Sequence, residues 1–338
     1  MKLSYSDEQN LLRDSVSKFC LSDYDFETRM KSVQSEKGHN EEHWRLFAEL
    51  GWLAIPFAEE HGGLDGNDVD LSLMFEEFGK AIVVEPYLAN VVLGGGILKR
   101  SDLEDKAKHI EGIIAGESQV SLANYEPEKG FNLANVDCEI SSDGTVNGLK
   151  TTVLNAQNAD YFVVFGKHDK GHAFALVSKD TEGLKCTSYQ TYDGFVSGDV
   201  KFDNCKAEAV FSIDSALDIL ELTILDALVC VCSEAVGAME KCYQMTIEYT
   251  KQREQFGQPL SKFQALQHRM VDMFMETEFT KSFLLKVLAT HDADEKRKLI
   301  YGLKNQVALA GKSVAEEAVQ MHGGMGCTEE MSIGHYLK

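Results

Sequence analysis

Arg253-Glu254-Gln255-Phe256-Gly257, Phe263-Gln264-Ala265-Leu266-Gln267 and Gln320-Met321-His322-Gly323-Gly324-Met325-Gly326 are the stretches on which the reading of this chain turns. An arginine can fork onto a pyrophosphate, amides about one helical turn apart can hold ribose or adenine edges, and glycines let backbone N–H groups come close. Taken singly, Arg253 is a solvated helix-end charge, Gln264 and Gln267 are surface amides, and Gly323-Gly324 is a helix C-cap or a turn. Their order, their separation and the long helical stretch between them favour a site for an extended dinucleotide.

The pattern around these stretches changes period twice. Up to about residue 115 it is helical. Ser6-Asp7-Glu8-Gln9 offers a cap and an acidic first turn ahead of Leu11, Leu12, Val16 and Phe19. A second helix is expected over Glu41 to Leu50 and ends at Gly51. A break follows from Ile55-Pro56-Phe57 to Gly62-Gly63-Leu64, and the helical pattern resumes from Asp70 to Phe78, where Gly79 is expected to stop it. Gly94-Gly95-Gly96 has neither a preceding strand nor a following Lys-Ser pair, so close helix packing or a turn is expected rather than a phosphate loop.

From 116 to 213 the runs become short and β-like. They are Val120 to Ala123, Val136 to Ile140, Tyr161 to Phe165, Ala173 to Val177 and Val200 to Phe202, with turn signals at Ser141-Ser142-Asp143-Gly144 and Asn147-Gly148. They predict a small barrel or sandwich. From 214 to 338 helical spacing returns through Leu217, Leu220, Ile224, Leu228, Val231, Ala235 and Met239, then from Pro259 to about 290 and from about 294 to 321. That last part reads as a four-helix-bundle type of pattern.

Composition bounds the function classes. The chain has 338 residues, 44% hydrophobic and 26% charged, which suits a soluble protein of two or three domains. Its net charge of −21 argues against nucleic acid and against anionic membrane surfaces. Eight scattered cysteines, with no CxxC and no secretory signal, read as reduced thiols in a cytoplasmic protein. Cys230 and Cys232 point to opposite sides of a helix, the ten histidines hold no HExxH, and no metal is expected. No apolar run approaches the roughly 20 residues that span a bilayer.

The motifs and the helical, β, helical order together resemble the acyl-CoA dehydrogenase family over essentially the whole chain. Further matching residues are Ile55-Pro56-Phe57-Ala58-Glu59-Glu60-His61-Gly62-Gly63, Val84-Glu85-Pro86-Tyr87-Leu88, His268-Arg269-Met270 and Gly334-His335-Tyr336. Within the family the chain looks most like the small subunit of pimeloyl-CoA dehydrogenase and the steroid-side-chain subunits. The resemblance implies an α+β fold with an N-terminal helical domain (1–115), a middle β-barrel domain (116–213) and a C-terminal four-helix bundle (214–338). It implies FAD as cofactor, an acyl-CoA substrate and electron-transfer flavoprotein as electron acceptor. It also implies that Arg253, Phe256 and Gln264 reach a flavin held mainly by a neighbouring subunit, and that Gln320, Gly323 and Gly324 line its adenosine end.

Two departures from the family pattern shape the functional expectation. The family's Thr-Glu-Pro-x-x-Gly-Ser-Asp run corresponds to Tyr125-Glu126-Pro127-Glu128-Lys129-Gly130-Phe131-Asn132, and its Trp-Ile-Thr-Asn-Gly strand to Thr152-Val153-Leu154-Asn155-Ala156. Hydroxyl positions that meet the flavin ring are thereby replaced by Tyr125, Phe131 and Leu154. Removing the proton next to a thioester needs a positioned carboxylate. The usual family glutamate falls past Lys338, and the alternative position falls on Ala227. Asp226 is a weak candidate, turned by about 100° from that direction, and Glu221 and Glu234 lie further off, all three expected on an exposed face. Three functions stay open: a dehydrogenase subunit needing a second, catalytic acyl-CoA dehydrogenase subunit in a heterodimer or heterotetramer, a self-sufficient homo-oligomeric dehydrogenase whose base is Asp226 or lies in a C-terminal tail beyond Lys338, and a flavin-free acyl-CoA-binding or assembly subunit.

Overall fold

A computed structural model describes residues 4–338. Helix α1 (Asp7–Ser22) opens with the expected capping box, in which Gln9 N–H donates to Ser6 Oγ and Ser6 N–H to Gln9 Oε1, both at 3.1 Å. Helices α2 (Phe26–Gln34) and α3 (Glu41–Glu49) follow, and Gly51, at φ +74°, takes the left-handed turn that ends the α3 region.

Helix α4 (Asp68–Ala81) corrects the expectation that Gly79 is a stop, because it runs straight through that residue. A Cβ at Gly79 would lie 1.8 Å from the Glu234 carbonyl, and one at Gly237 would lie 1.9 Å from the Glu76 carbonyl. Both glycines therefore let two helix backbones touch. The helix ends instead at Ile82, at φ +47°, with Val83 N–H donating to Phe78 O at 3.1 Å and Arg29 Nε to Ile82 O at 2.8 Å.

The triple glycine lies where a π-helical turn (Leu88–Gly94) passes into α5 (Gly95–Arg100), and helix α6 (Lys106–Ile114) comes next. A Cβ on Gly94 would meet Val120 O at 2.1 Å, and one on Gly96 would meet Thr223 Cγ2 at 2.9 Å. Close packing, as expected, is what these glycines serve.

Strands β1 (Val120–Ala123), β2 (Glu139–Ile140), β3 (Thr145–Leu154), β4 (Tyr161–His168), β5 (Gly171–Ser178), β6 (Leu184–Gln190), β7 (Val196–Lys206) and β8 (Ala209–Phe211) form one sheet. Its pairing path is β6-β7-β3-β2-β4-β5-β8, with β1 joining β4 in parallel. Phe162, Val164, Ala173, Ala175, Val177, Val200 and Phe202 pack into its core. The β6 strand is almost wholly exposed, so its polar sequence carries no alternation, and its ladder to β7 alone defines it.

Helix α7 (Ala216–Gln252) is followed by a hairpin of β9 (Glu254–Gln255) and β10 (Gln258–Pro259), then by α8 (Gln264–Leu288), α9 (Ala293–His322) and the short α10 (Ile333–Leu337). The helix expected from Pro259 begins at Gln264 because Pro259 is paired with Glu254 in the hairpin. Met239, Met270, Met273, Val314, Ala318 and Met321 fill the core among these helices. Along the chain the order is helices, sheet, helices, as the sequence predicted.

The residues group into two compact units. One holds the chain up to Met30 with Asp68–Val83 and Leu228–Lys338, and the other holds Lys31–Asn67 with Val84–Ala227. No helix among the described residues is long and apolar enough to cross a membrane.

Candidate functional site

Arg253 follows the last residue of α7. Its N–H donates to Tyr249 O and its carbonyl accepts from Leu260 N–H, both at 2.8 Å, while its guanidinium is exposed and makes no ion pair among the described residues. The two-residue loop of the hairpin is Phe256-Gly257, at φ +56° and +80°. Both residues in the left-handed region give the tight turn that matches strand twist, at a conformational cost for a phenylalanine. Phe256 stands at the tip, 90% exposed, with its edge toward Phe263 at 6.1 Å.

Gln264 opens α8 and is exposed. The amide of Gln267 turns back to donate to Ser261 O at 2.8 Å, so it braces the chain ahead of the helix. Gln320 is exposed on the last turn of α9, and Gly323 (φ +62°) and Gly324 follow with open space where a Cβ would stand.

Two observations bring these segments together. Helices α8 and α9 run antiparallel, with Arg269 paired to Glu317, Gln306 Nε2 3.4 Å from Thr280 Oγ1 and Gly302 against Phe283. That register sets Gln264 level with the end of α9. Tyr249, one turn before Arg253, stacks on His322, with ring centroids 4.2 Å apart and an interplanar angle of 26°. The start of α8, the end of α9 and the end of α7 thus present an unpaired cation, exposed amides and bare glycine backbone at one end of one unit. This donor set suits the negative charge and hydroxyl edges of a dinucleotide.

The three positions expected to face a flavin ring lie in the other unit. Tyr125 is 41% and Phe131 94% exposed, and Leu154 is half-buried at the end of β3. The 124–136 loop approaches Leu220 of α7 around a void of about 10 Å³, room for no more than one water. Glu126 in this loop is a structural residue that the sequence did not reveal. Its carboxylate accepts from Lys150 Nζ at 2.7 Å and from the N–H groups of Asp137 and Cys138 at 2.5 and 2.9 Å, and the Lys150 side chain is fully buried. The available signal was a lysine at an inward position of β3.

At the expected base position, Ala227 is buried. The Asp226 carboxylate lies 2.5 Å from Arg100 Nη2, so it is ion-paired rather than a free exposed-face acid. Glu221 and Glu234 are half-buried too, which corrects the expectation of three exposed carboxylates. Among the described residues no group of three or more His, Cys, Asp or Glu is placed to hold a metal ion. His39 and His43, four residues apart, point to separate partners: His39 Nδ1 lies 3.2 Å from Lys37 O, and His43 Nδ1 3.2 Å from Glu85 Oε1.

Residues 6–117 match the family described as acyl-CoA dehydrogenase, N-terminal domain, and residues 224–338 that described as acyl-CoA dehydrogenase, C-terminal domain. The probable acyl-CoA dehydrogenase YngJ of Bacillus subtilis is 27% identical, over 100% of this chain and 93% of its own length. The ChsE4-ChsE5 complex from Mycobacterium tuberculosis has the same fold, at a TM-score of 0.89 and 23% identity over 100% of this chain and 92% of that one. So does PigA in its FAD complex, at 0.91 and 22% over 100% and 93%.

Proposed function

Because the chain belongs to the acyl-CoA dehydrogenase family, we propose that it is a subunit of an FAD-dependent dehydrogenase of acyl-CoA thioesters whose catalytic base is supplied by a second, homologous subunit. The observation that carries this reading is the Arg100–Asp226 pair beside a buried Ala227. A base must reach the α-proton, and the nearest carboxylate is already held by a cation.

The residues fit one end of FAD and not the other. Arg253, Gln264, Gln320 and the Gly323-Gly324 backbone suit its pyrophosphate and adenosine, and their exposure suits a contact made across a subunit boundary. Phe131 and Leu154 lack the hydroxyls that the family sets against the ring, and Tyr125 puts a bulky phenol where the family has a threonine, so these residues do not fit that end. A bound FAD would supply the hydride acceptor for the acyl chain of the thioester. This chain's part is to bind and orient: Arg253 offers forked donors to a phosphate, and the glycines admit the backbone.

An apolar stripe at helical spacing on α8, Val271, Phe274, Met275 and Phe279, is 46% to 61% exposed and supports a subunit contact on the same helix that Gln264 opens. The ChsE4-ChsE5 structure is by its name a complex, which supports a two-component reading. Electron-transfer flavoprotein is the acceptor this reading requires.

Purification of the chain alone and together with a co-expressed homologous subunit, followed by flavin absorbance, tests the proposal. The expected result is flavin only in the co-purified assembly. A stoichiometric flavin on the isolated chain supports the self-sufficient alternative, and none in either preparation supports a flavin-free assembly role.

A further inference from the structure

We propose that Tyr249 and His322 are a positioning pair that sets the spacing between the Arg253 hairpin and the Gly323-Gly324 turn, an inference that rests on reading this end of the unit as the FAD site. Each segment is held mainly through its backbone, the glycines within a short 3-10 turn (Gly323–Cys327). The hairpin pairs only two residues on each side, and the glycines bring no side chain of their own. Their relative placement depends on what stands one turn behind them. Tyr249 is bonded through its carbonyl to Arg253 N–H at 2.8 Å, and His322 immediately precedes Gly323.

The pair is fixed at several points. The two rings stack at 4.2 Å, and Tyr249 Oη donates to the His322 carbonyl at 3.3 Å. That carbonyl belongs to the last residue of α9, where the chain passes into the short 3-10 turn. His322 Nδ1 donates to Ala318 O at 2.8 Å, which fixes the ring and its tautomer. Its Nε2 is then a buried acceptor with no hydrogen-bond partner among the described residues, a cost tolerated where it keeps the ring against Tyr249. Burial also lowers the pKa of His322, so the stacked ring is the neutral imidazole. A binding site assembled from separate segments loses affinity when their spacing loosens.

The test places spin labels at the exposed positions Gln255 and Met325 of the isolated chain and measures the distance distribution between them. Wild type and Tyr249→Phe, which keeps the ring, are expected to give one narrow distribution, and Tyr249→Leu and His322→Leu to broaden it. In the assembly with its partner subunit, both leucine variants are expected to raise the FAD dissociation constant about tenfold, with kcat per bound flavin unchanged. An unaltered distance distribution in folded Tyr249→Leu and His322→Leu overturns the proposal, even if both lower Tm. Absence of FAD from the wild-type assembly strikes the functional reading itself, whereas the distance distributions separately confirm or refute the pair.

Discussion

Arg100 Nη2 lies 2.5 Å from Asp226 Oδ2, and Nη1 of the same guanidinium is 3.2 Å from the Gly96 carbonyl, so the one carboxylate beside the expected base position braces α5 against α7. A carboxylate so employed is turned toward Arg100. Asp226→Asn is expected to leave turnover of the assembled enzyme nearly unchanged. Arg100→Ala should cost about 1 kcal/mol of stability, the scale of a partly exposed ion pair. Steady-state kinetics of the first variant and denaturant unfolding of the second check both. A large fall in kcat with Asp226→Asn alone would restore this residue as the base.

Arg253→Ala is expected to weaken FAD retention in the assembly by about 1.5 to 3 kcal/mol, the range for a hydrogen bond to a charged group, with the fold intact. Among the described residues the exposed guanidinium makes no ion pair that the substitution would break. Equilibrium dialysis against free FAD reads the effect, and unchanged affinity counts against the assignment.

Gly79→Ala is expected to destabilise the chain by about 3 kcal/mol, since its Cβ would overlap the Glu234 carbonyl at 1.8 Å and α4 can make room only by moving off α7. Thermal unfolding measures this. A variant as stable as wild type would mean the helix approach is looser than described.

Burial pushes the Glu126 carboxyl upward, but the Lys150 ammonium and the amides of Asp137 and Cys138 outweigh it and hold its pKa below the ordinary value. A depressed carboxyl contributes stability that is present above its unfolded pKa, about 4.3, and is lost as pH falls through the folded value. Wild type should therefore lose stability on acidification below that point, and Glu126→Gln should lose less over the same window. Lys150→Met, which strands the carboxylate, is expected to cost about 3 to 5 kcal/mol at neutral pH. Urea midpoints at several pH values decide both.

Periodicity made the long helices and the strands β1, β4 and β5 legible, because their burial repeats at 3.6 or runs through the core; β3 was missed, since Asn147-Gly148, read as a turn, lies inside it at a break in its register with β7. It failed where the physical reason for a residue lies in a distant segment. Gly79 reads locally as a helix stop, and only the Glu234 carbonyl across from it explains its place inside α4. The β6 strand was invisible because an exposed edge imposes no apolar rhythm. Pro259 read as a helix start because its partner in the hairpin, Glu254, gives no local sign of pairing. For the site, residue type and spacing pointed to Arg253, Gln264 and the glycines. The stack of Tyr249 on His322 joins positions far apart in the chain, and Arg100 gave no hint of its bond to Asp226.

The central claim is that this chain needs a partner's base, and dye-coupled dehydrogenation of acyl-CoA tests it most directly. The isolated chain with added FAD, the co-purified wild-type assembly and the Asp226→Asn assembly are assayed side by side. Turnover by both assemblies at similar rates, with essentially none by the isolated chain, is the predicted result. Robust turnover by the isolated chain, abolished by Asp226→Asn, would contradict it.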